Sequence, residues 1–177
     1  MSDDGAATPY TVSFVCTGNI CRSPMGEVIL RDLLADTELA DRVRVISAGT
    51  GDWHLGGPAD PRTVATLKRF GHDGSAHIAE QFTAPSFEGI DLVLALDESH
   101  LRDLRAMAVT EEEADRIRLL RSFDEAAVAA GELDVDDPYF GDDADFVRSY
   151  EEIRAAAEGL VEHLRQVLGA SPPHPGR

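Results

Sequence analysis

Cys16 and Arg22 stand in the stretch Cys16-Thr17-Gly18-Asn19-Ile20-Cys21-Arg22-Ser23, which follows a β-branched, aromatic run and precedes a helical one. A loop curling between a strand and a helix N-terminus turns several backbone N–H groups toward one point and binds an anion of phosphate size. Gly18 permits close backbone approach, and Asn19 tolerates the left-handed conformation that such a curl needs. Arg22 offers two parallel hydrogen bonds to phosphate oxygens, which lysine cannot match. Cys16 then lies on the cradle floor, in a field that favours its thiolate, and the chemistry is nucleophilic attack on a bound phosphoryl group. The pattern is short, and a strand-end core cysteine beside an unrelated arginine would produce it too.

Expelling an alkoxide or phenolate also needs an acid. Carboxylates are so abundant in this chain that number alone selects none of them. The segment Asp136-Asp137-Pro138-Tyr139-Phe140-Gly141 is the informative one. Pro138 stiffens the backbone after Asp137, and no helical period demands the two aromatics. Taken alone, the segment also reads as a surface turn before the last helix. Cys16 and Cys21 are the only cysteines, and the six histidines are scattered. Neither a disulfide framework nor a zinc site fits that usage, so no metal is expected.

The elements that position these residues alternate. Tyr10–Val15, Val43–Ala48, Leu92–Leu96 and Ile117–Leu120 read as strands. A helix opens at Ser23-Pro24, with Ser23 as cap, and another runs from Asp60-Pro61 to the stop at Gly71. Leu101, Leu104 and Met107 mark a third helix, and a long final helix spans about Ala144 to about Leu168. Such alternation predicts an α/β fold, a parallel sheet with helices on both faces and ligands beyond the C-terminal strand ends. The 177 residues fit one domain, residues 10–169, between mobile tails 1–9 and 170–177. His54, His72, His163 and His174 read as surface residues.

Charge narrows the partners. The formal net charge is -17, from 33 acidic and 16 basic side chains, which argues against binding nucleic acid or an anionic membrane, since both need a basic face. Apolar runs fall far short of a span of about 20 residues, and the polar N-terminus carries no signal pattern. A cytoplasmic protein is expected, with leaderless export left open, and a monomer or weak dimer.

The two segments together resemble the low-molecular-weight protein tyrosine phosphatases. The resemblance rests on Cys16 to Ser23 with Pro24-Met25-Gly26-Glu27, and on Asp137-Pro138-Tyr139-Phe140. Ser47-Ala48-Gly49-Thr50-Gly51-Asp52-Trp53-His54, Asp60-Pro61-Arg62 and Leu94-Ala95-Leu96-Asp97-Glu98-Ser99 extend it from about Val12 to about Leu168. It implies a flavodoxin-like domain with a four-stranded parallel sheet, and no cofactor. It implies that Cys16 is the nucleophile, Arg22 the phosphate clamp and Asp137 the general acid and then base, within the phosphate-binding loop Thr17, Gly18, Asn19, Ile20, Cys21 and Ser23. Ser23 would donate to the Cys16 sulfur, and Asn19 would hold the loop, braced by Ser47 and His77. Trp53, Tyr139 and Phe140 would wall a slot whose depth suits an aryl phosphate and leaves phosphoserine too short. The implied partners are phosphotyrosine proteins, with phosphate or vanadate as inhibitors. Cys21 would trap oxidised Cys16 as a disulfide, or else simply pack at the helix start.

Departures from the family pattern are Glu80 for a frequent Arg, His100 for a frequent Asn and Phe140 for a frequent Tyr. They bear on regulation and substrate preference. A thiol-dependent arsenate reductase resembles the loop but relays through downstream cysteines, which this chain lacks. A protein-arginine phosphatase resembles it with Thr at the place of Ile20 and without the paired aromatics. A phosphate-binding pseudophosphatase would have lost Cys16, Arg22 or Asp137.

Overall fold

The structure, a computed structural model, describes residues 7–169. Four parallel strands, β1 (Tyr10–Cys16), β2 (Val43–Gly49), β3 (Leu92–Ala95) and β4 (Ile117–Leu119), form one sheet in the order β2-β1-β3-β4. The helices are α1 (Arg22–Ala35), α2 (Pro61–Arg69), α3 (Glu98–Met107), α4 (Glu111–Asp115), α5 (Glu125–Ala130) and α6 (Asp143–Leu168). Single 3-10 turns occupy Ala84–Phe87 and Leu120–Phe123.

Side-chain alternation along β1 divides the interior in two. Val12, Phe14 and Cys16 join a core with Val28 and Ile29 of α1 and Ile153 and Leu160 of α6. Val15 faces the other side, with Val93 and Ala95 of β3, Leu101 and Leu104 of α3, Phe82 and Phe87. Helices therefore cover both faces, as the alternation predicts. Gly26 lets α1 press onto the Phe14 ring, where a Cβ would have no room.

β1 pairs with β2 on one edge and β3 on the other, so the chain leaves it in opposite directions. The C-terminal end of such a strand is the switch point where open α/β sheets bind ligands, and Cys16 is its last residue.

Local sequence misplaced one cap. α1 begins at Arg22 rather than after Ser23, and Cys21 occupies its cap position without a side-chain hydrogen bond. Pro24 still falls in the first turn, where its missing N–H costs nothing. By contrast Asp60 caps α2 as expected, accepting from Arg62 N. The tails expected at 1–9 and 170–177 lie mostly outside the described residues, and 7–9 lead exposed into β1. His174 is likewise outside them. Among the described residues no helix is long and apolar enough to cross a membrane.

Candidate active site

The loop from Thr17 to Cys21 is shaped by where its carbonyls go. Cys16 O accepts from Thr50 N at 2.9 Å, Thr17 O from Gly51 N at 2.9 Å and Ile20 O from Asp60 N at 2.9 Å. Asn19 O pairs with His77 Nε2 at 2.6 Å, and Cys21 O accepts from Thr63 Oγ1 at 3.4 Å. A trans peptide points its N–H opposite to its C=O. Five carbonyls turned out to the scaffold therefore turn the following N–H groups, those of Thr17, Gly18, Ile20, Cys21 and Arg22, inward. The cradle opens at the N-terminus of α1, whose dipole adds to the attraction for an anion. Gly49 borders it so closely that a Cβ there would lie 2.6 Å from Thr17 O.

Asn19 is the keystone. Its φ is 55°, the left-handed value expected from its residue type. Its amide donates to Ser23 Oγ at 2.8 Å and Ser47 Oγ at 2.9 Å, while its Oδ1 accepts from Glu80 N at 2.9 Å. Ser47 in turn donates to Glu27 Oε2 at 3.2 Å, and His77 Nδ1 lies 3.5 Å from that same oxygen. Burial works against the Glu27 charge, but His77, Arg31 and Ser47 outweigh it and hold the carboxyl below its usual range. Ser47 and His77 both contact Asn19, and Glu27, which sequence reasoning left without a role, links the two.

Cys16 Sγ lies 2.9 Å from Ser23 Oγ. The Asn19 amide occupies a lone pair on that hydroxyl, leaving its proton a choice between the sulfur and Ala48 O at 3.3 Å. The sulfur is nearer. Ser23 is therefore absent from the helix cap because its hydroxyl serves the thiol.

Arg22 is 2% exposed. Its Nη1 donates to Asp97 Oδ2 at 2.7 Å and Val135 O at 2.8 Å, while Nη2 stands 3.6 Å from Asp137 Oδ2. The scaffold takes one nitrogen and leaves the Nε–Nη2 edge for a ligand, the geometry of a bidentate clamp. Burial opposes the Asp97 charge, but Ser99, the positive His100 ring in acid and Arg22 hold its carboxyl at about 2.

Above the cradle a cavity of about 320 Å³ is lined by Cys16, Arg22, Asp137 and the rings of Trp53, Tyr139 and Phe140. Trp53 and Phe140 are 72% and 95% exposed, and the Tyr139 and Phe140 rings meet edge to face at 4.9 Å. Thr17, Gly18, Ile20 and Cys21 complete the walls with His54, and Asn19, Ser23, Ser47 and His77 form one bonded group behind them. Burial first, then the charges of Asp60, Cys16 and Asp137, push the Cys21 thiol up to about 12. Cys21 is thus a packed, protonated thiol.

Two histidines expected at the surface, His72 and His163, are partly buried, and His100 is fully so. His100 is 1% exposed and bonds Thr17 at the loop. His72 bridges Asp32 on α1 and the Tyr150 hydroxyl on α6, at 2.6 and 2.8 Å. His163 packs half-buried against Phe123. Sequence reasoning gave no role to Asp97, Glu27 or His100: the first two appeared only within longer stretches of the resemblance and His100 only as a departure from it.

Comparison with known proteins agrees with this geometry. The profile of the low molecular weight phosphotyrosine protein phosphatases matches residues 11–169. A low molecular weight protein-tyrosine-phosphatase of Streptomyces coelicolor is 51% identical over 157 residues, 89% of this chain and 94% of its own length. Low molecular weight protein-tyrosine phosphatase A of Mycobacterium tuberculosis is 43% identical, over 93% of this chain and 98% of its own. Among solved structures, YfkJ of Bacillus subtilis superposes with a TM-score of 0.84 at 32% identity, over 92% of this chain and 99% of that one. The chain belongs to the low molecular weight phosphotyrosine protein phosphatase family.

Proposed function

We propose that this phosphatase hydrolyses phosphotyrosine monoesters on proteins through a phosphocysteine formed on Cys16. The observation that carries the reading is the buried Cys16 sulfur, 2.9 Å from Ser23 Oγ, on the floor of a cavity shared by Arg22, Asp137 and three aromatic rings.

The phosphate enters with its oxygens on the loop N–H groups and the Nε–Nη2 edge of Arg22. The Cys16 thiolate attacks phosphorus while the bond to the phenolic oxygen breaks, and Asp137 gives that oxygen its proton. The nearby Asp137 carboxylate then takes a proton from water as the water oxygen attacks phosphorus. The sulfur leaves as thiolate, steadied by the Ser23 hydroxyl, and phosphate departs. Trp53, Tyr139 and Phe140 favour a flat aryl group, and only a side chain of that length carries phosphorus to the floor. Oxyanions such as phosphate and vanadate compete for the cradle.

Cys21 is the partner for reversible oxidation. Peroxide converts Cys16 to the sulfenic acid, and Cys21 attacks that sulfur to form the disulfide and release water. Its protonated resting state slows the step.

The test compares Cys16→Ser and Asp137→Asn on phosphotyrosine peptides and on aryl phosphates with good and poor leaving groups. Cys16→Ser loses turnover while still binding vanadate, and retained turnover would sink the covalent route. Asp137→Asn slows the poor leaving group about 10²–10⁴-fold and the good one far less. Equal losses would assign the acid to another carboxylate.

A further inference from the structure

We propose that His100 is a positioning residue for this reaction: a neutral imidazole, protonated at Nδ1, that ties the Thr17 hydroxyl at the mouth of the cradle to the carboxylate holding the Arg22 clamp. The proposal rests on the phosphatase reading above and adds to it a residue outside the cradle.

His100 lies in the first turn of α3, capped by Asp97. Its Nε2 is 2.8 Å from Thr17 Oγ1. Its Nδ1 is 3.2 Å from Asp97 Oδ1, buried and poorly aligned for a full hydrogen bond. A nitrogen lone pair facing a carboxylate oxygen at that distance would repel it, so the proton belongs on Nδ1. Nε2 is then the acceptor, and the Thr17 hydroxyl has to donate to it.

That choice of tautomer orders two groups at once. Asp97 Oδ1 already accepts from Ser99 Oγ at 2.5 Å and from His100 N at 3.1 Å, and the Nδ1 proton adds a third contact on the same oxygen. The carboxylate is thereby fixed in rotation, with Oδ2 on Arg22 Nη1 at 2.7 Å. Thr17, immediately after the nucleophile and lining the cavity, cannot swing its hydroxyl freely over the sulfur. The charged groups around the ring are Arg22 from α1, Asp97 at the cap of α3, Asp103 within α3, and Asp137 from the segment before α6. Burial first, then Arg22, keep the ring neutral against the three carboxylates, down to about 4. A protonated ring would place a second cation beside the clamp.

The experiment combines ring-nitrogen NMR on the ¹⁵N-labelled wild type with phosphate inhibition of His100→Ala, Thr17→Val and the double variant. Nδ1 carries the proton at neutral pH in the wild type, and Thr17→Val shifts the Nε2 resonance. Each single variant weakens inhibition by inorganic phosphate about tenfold, roughly one hydrogen bond's worth, and the double variant weakens it no further. A double variant near a hundredfold means independent residues and overturns the tie. So does a proton on Nε2, a charged ring at neutral pH, or unchanged phosphate inhibition in a folded His100→Ala. If His100→Ala fails to fold, the wild-type and Thr17→Val spectra decide alone. A wild type inert toward every aryl phosphate would sink the phosphatase reading instead, which the tautomer measurement does not touch.

Discussion

Acid should weaken this fold in a window set by one buried ring. His100 has an ordinary value of 6.5 and is held near about 4 by burial and by Arg22. As pH falls below 6.5 the unfolded chain takes up a proton there while the folded chain refuses it. The unfolded state then binds more protons, and stability falls with pH until the folded ring also titrates at about 4. Above 6.5 the contribution is fully present. At about 1.4 kcal/mol per pH unit, the gap corresponds to ~3 kcal/mol, a large share of a typical 5–15 kcal/mol. Asp97 has the opposite chemistry in a separate window. Its depressed carboxyl stabilises the fold above its ordinary value of 3.8, and that part is lost only as pH falls from there toward about 2. Urea titrations of wild type and His100→Asn from neutral pH to about pH 4.5 separate the ring from every other acid-sensitive group. The wild-type stability should fall more steeply than the variant's by ~1.2 kcal/mol per pH unit near about pH 5. Parallel curves would mean that the ring charges without cost in the fold, and the reasoning from burial would be wrong.

Other expectations test separate contacts. Gly49→Ala sets a methyl against the rigid Thr17 carbonyl and should cost about 1–3 kcal/mol in urea titrations while weakening phosphate inhibition. Phe140→Ala, at a ring 95% exposed, should leave the melting temperature unchanged and raise KM for phosphotyrosine peptides, measured by initial rates. After peroxide and then thiol reductant, Cys21→Ser should recover less activity than wild type; equal recovery would leave Cys21 a packing residue.

What could be read from the chain followed the range of the interactions. The strand, loop and helix around Cys16 are local, so residue types alone indicated the cradle, down to the left-handed Asn19. Ser23 shows the limit of local rules, because a serine beside proline looks like a cap until Cys16 Sγ is seen 2.9 Å away. Helix α5 was overlooked although Asp124 caps it and Gly131 ends it in the left-handed region, since Glu125–Ala130 has almost no apolar periodicity to announce it. Asp137 needed family resemblance, being brought to Arg22 by the path of the whole chain. His100 needed the sheet: β1 pairs Val15 with Ala95, so the residues after each strand emerge side by side and Thr17 meets the first turn of α3. Nothing within α3 itself distinguishes that histidine from one on a solvent face.

The web around Asn19 has a thermodynamic consequence. Both amide protons, the side-chain oxygen and the backbone oxygen of this residue are engaged by protein groups alone, so the mould is cast by internal contacts. An arriving oxyanion displaces water but orders little chain, and the entropy of organising the loop was met during folding. Phosphate, vanadate and their congeners should then differ in affinity through charge and bond length alone, with binding heats that scarcely vary with temperature.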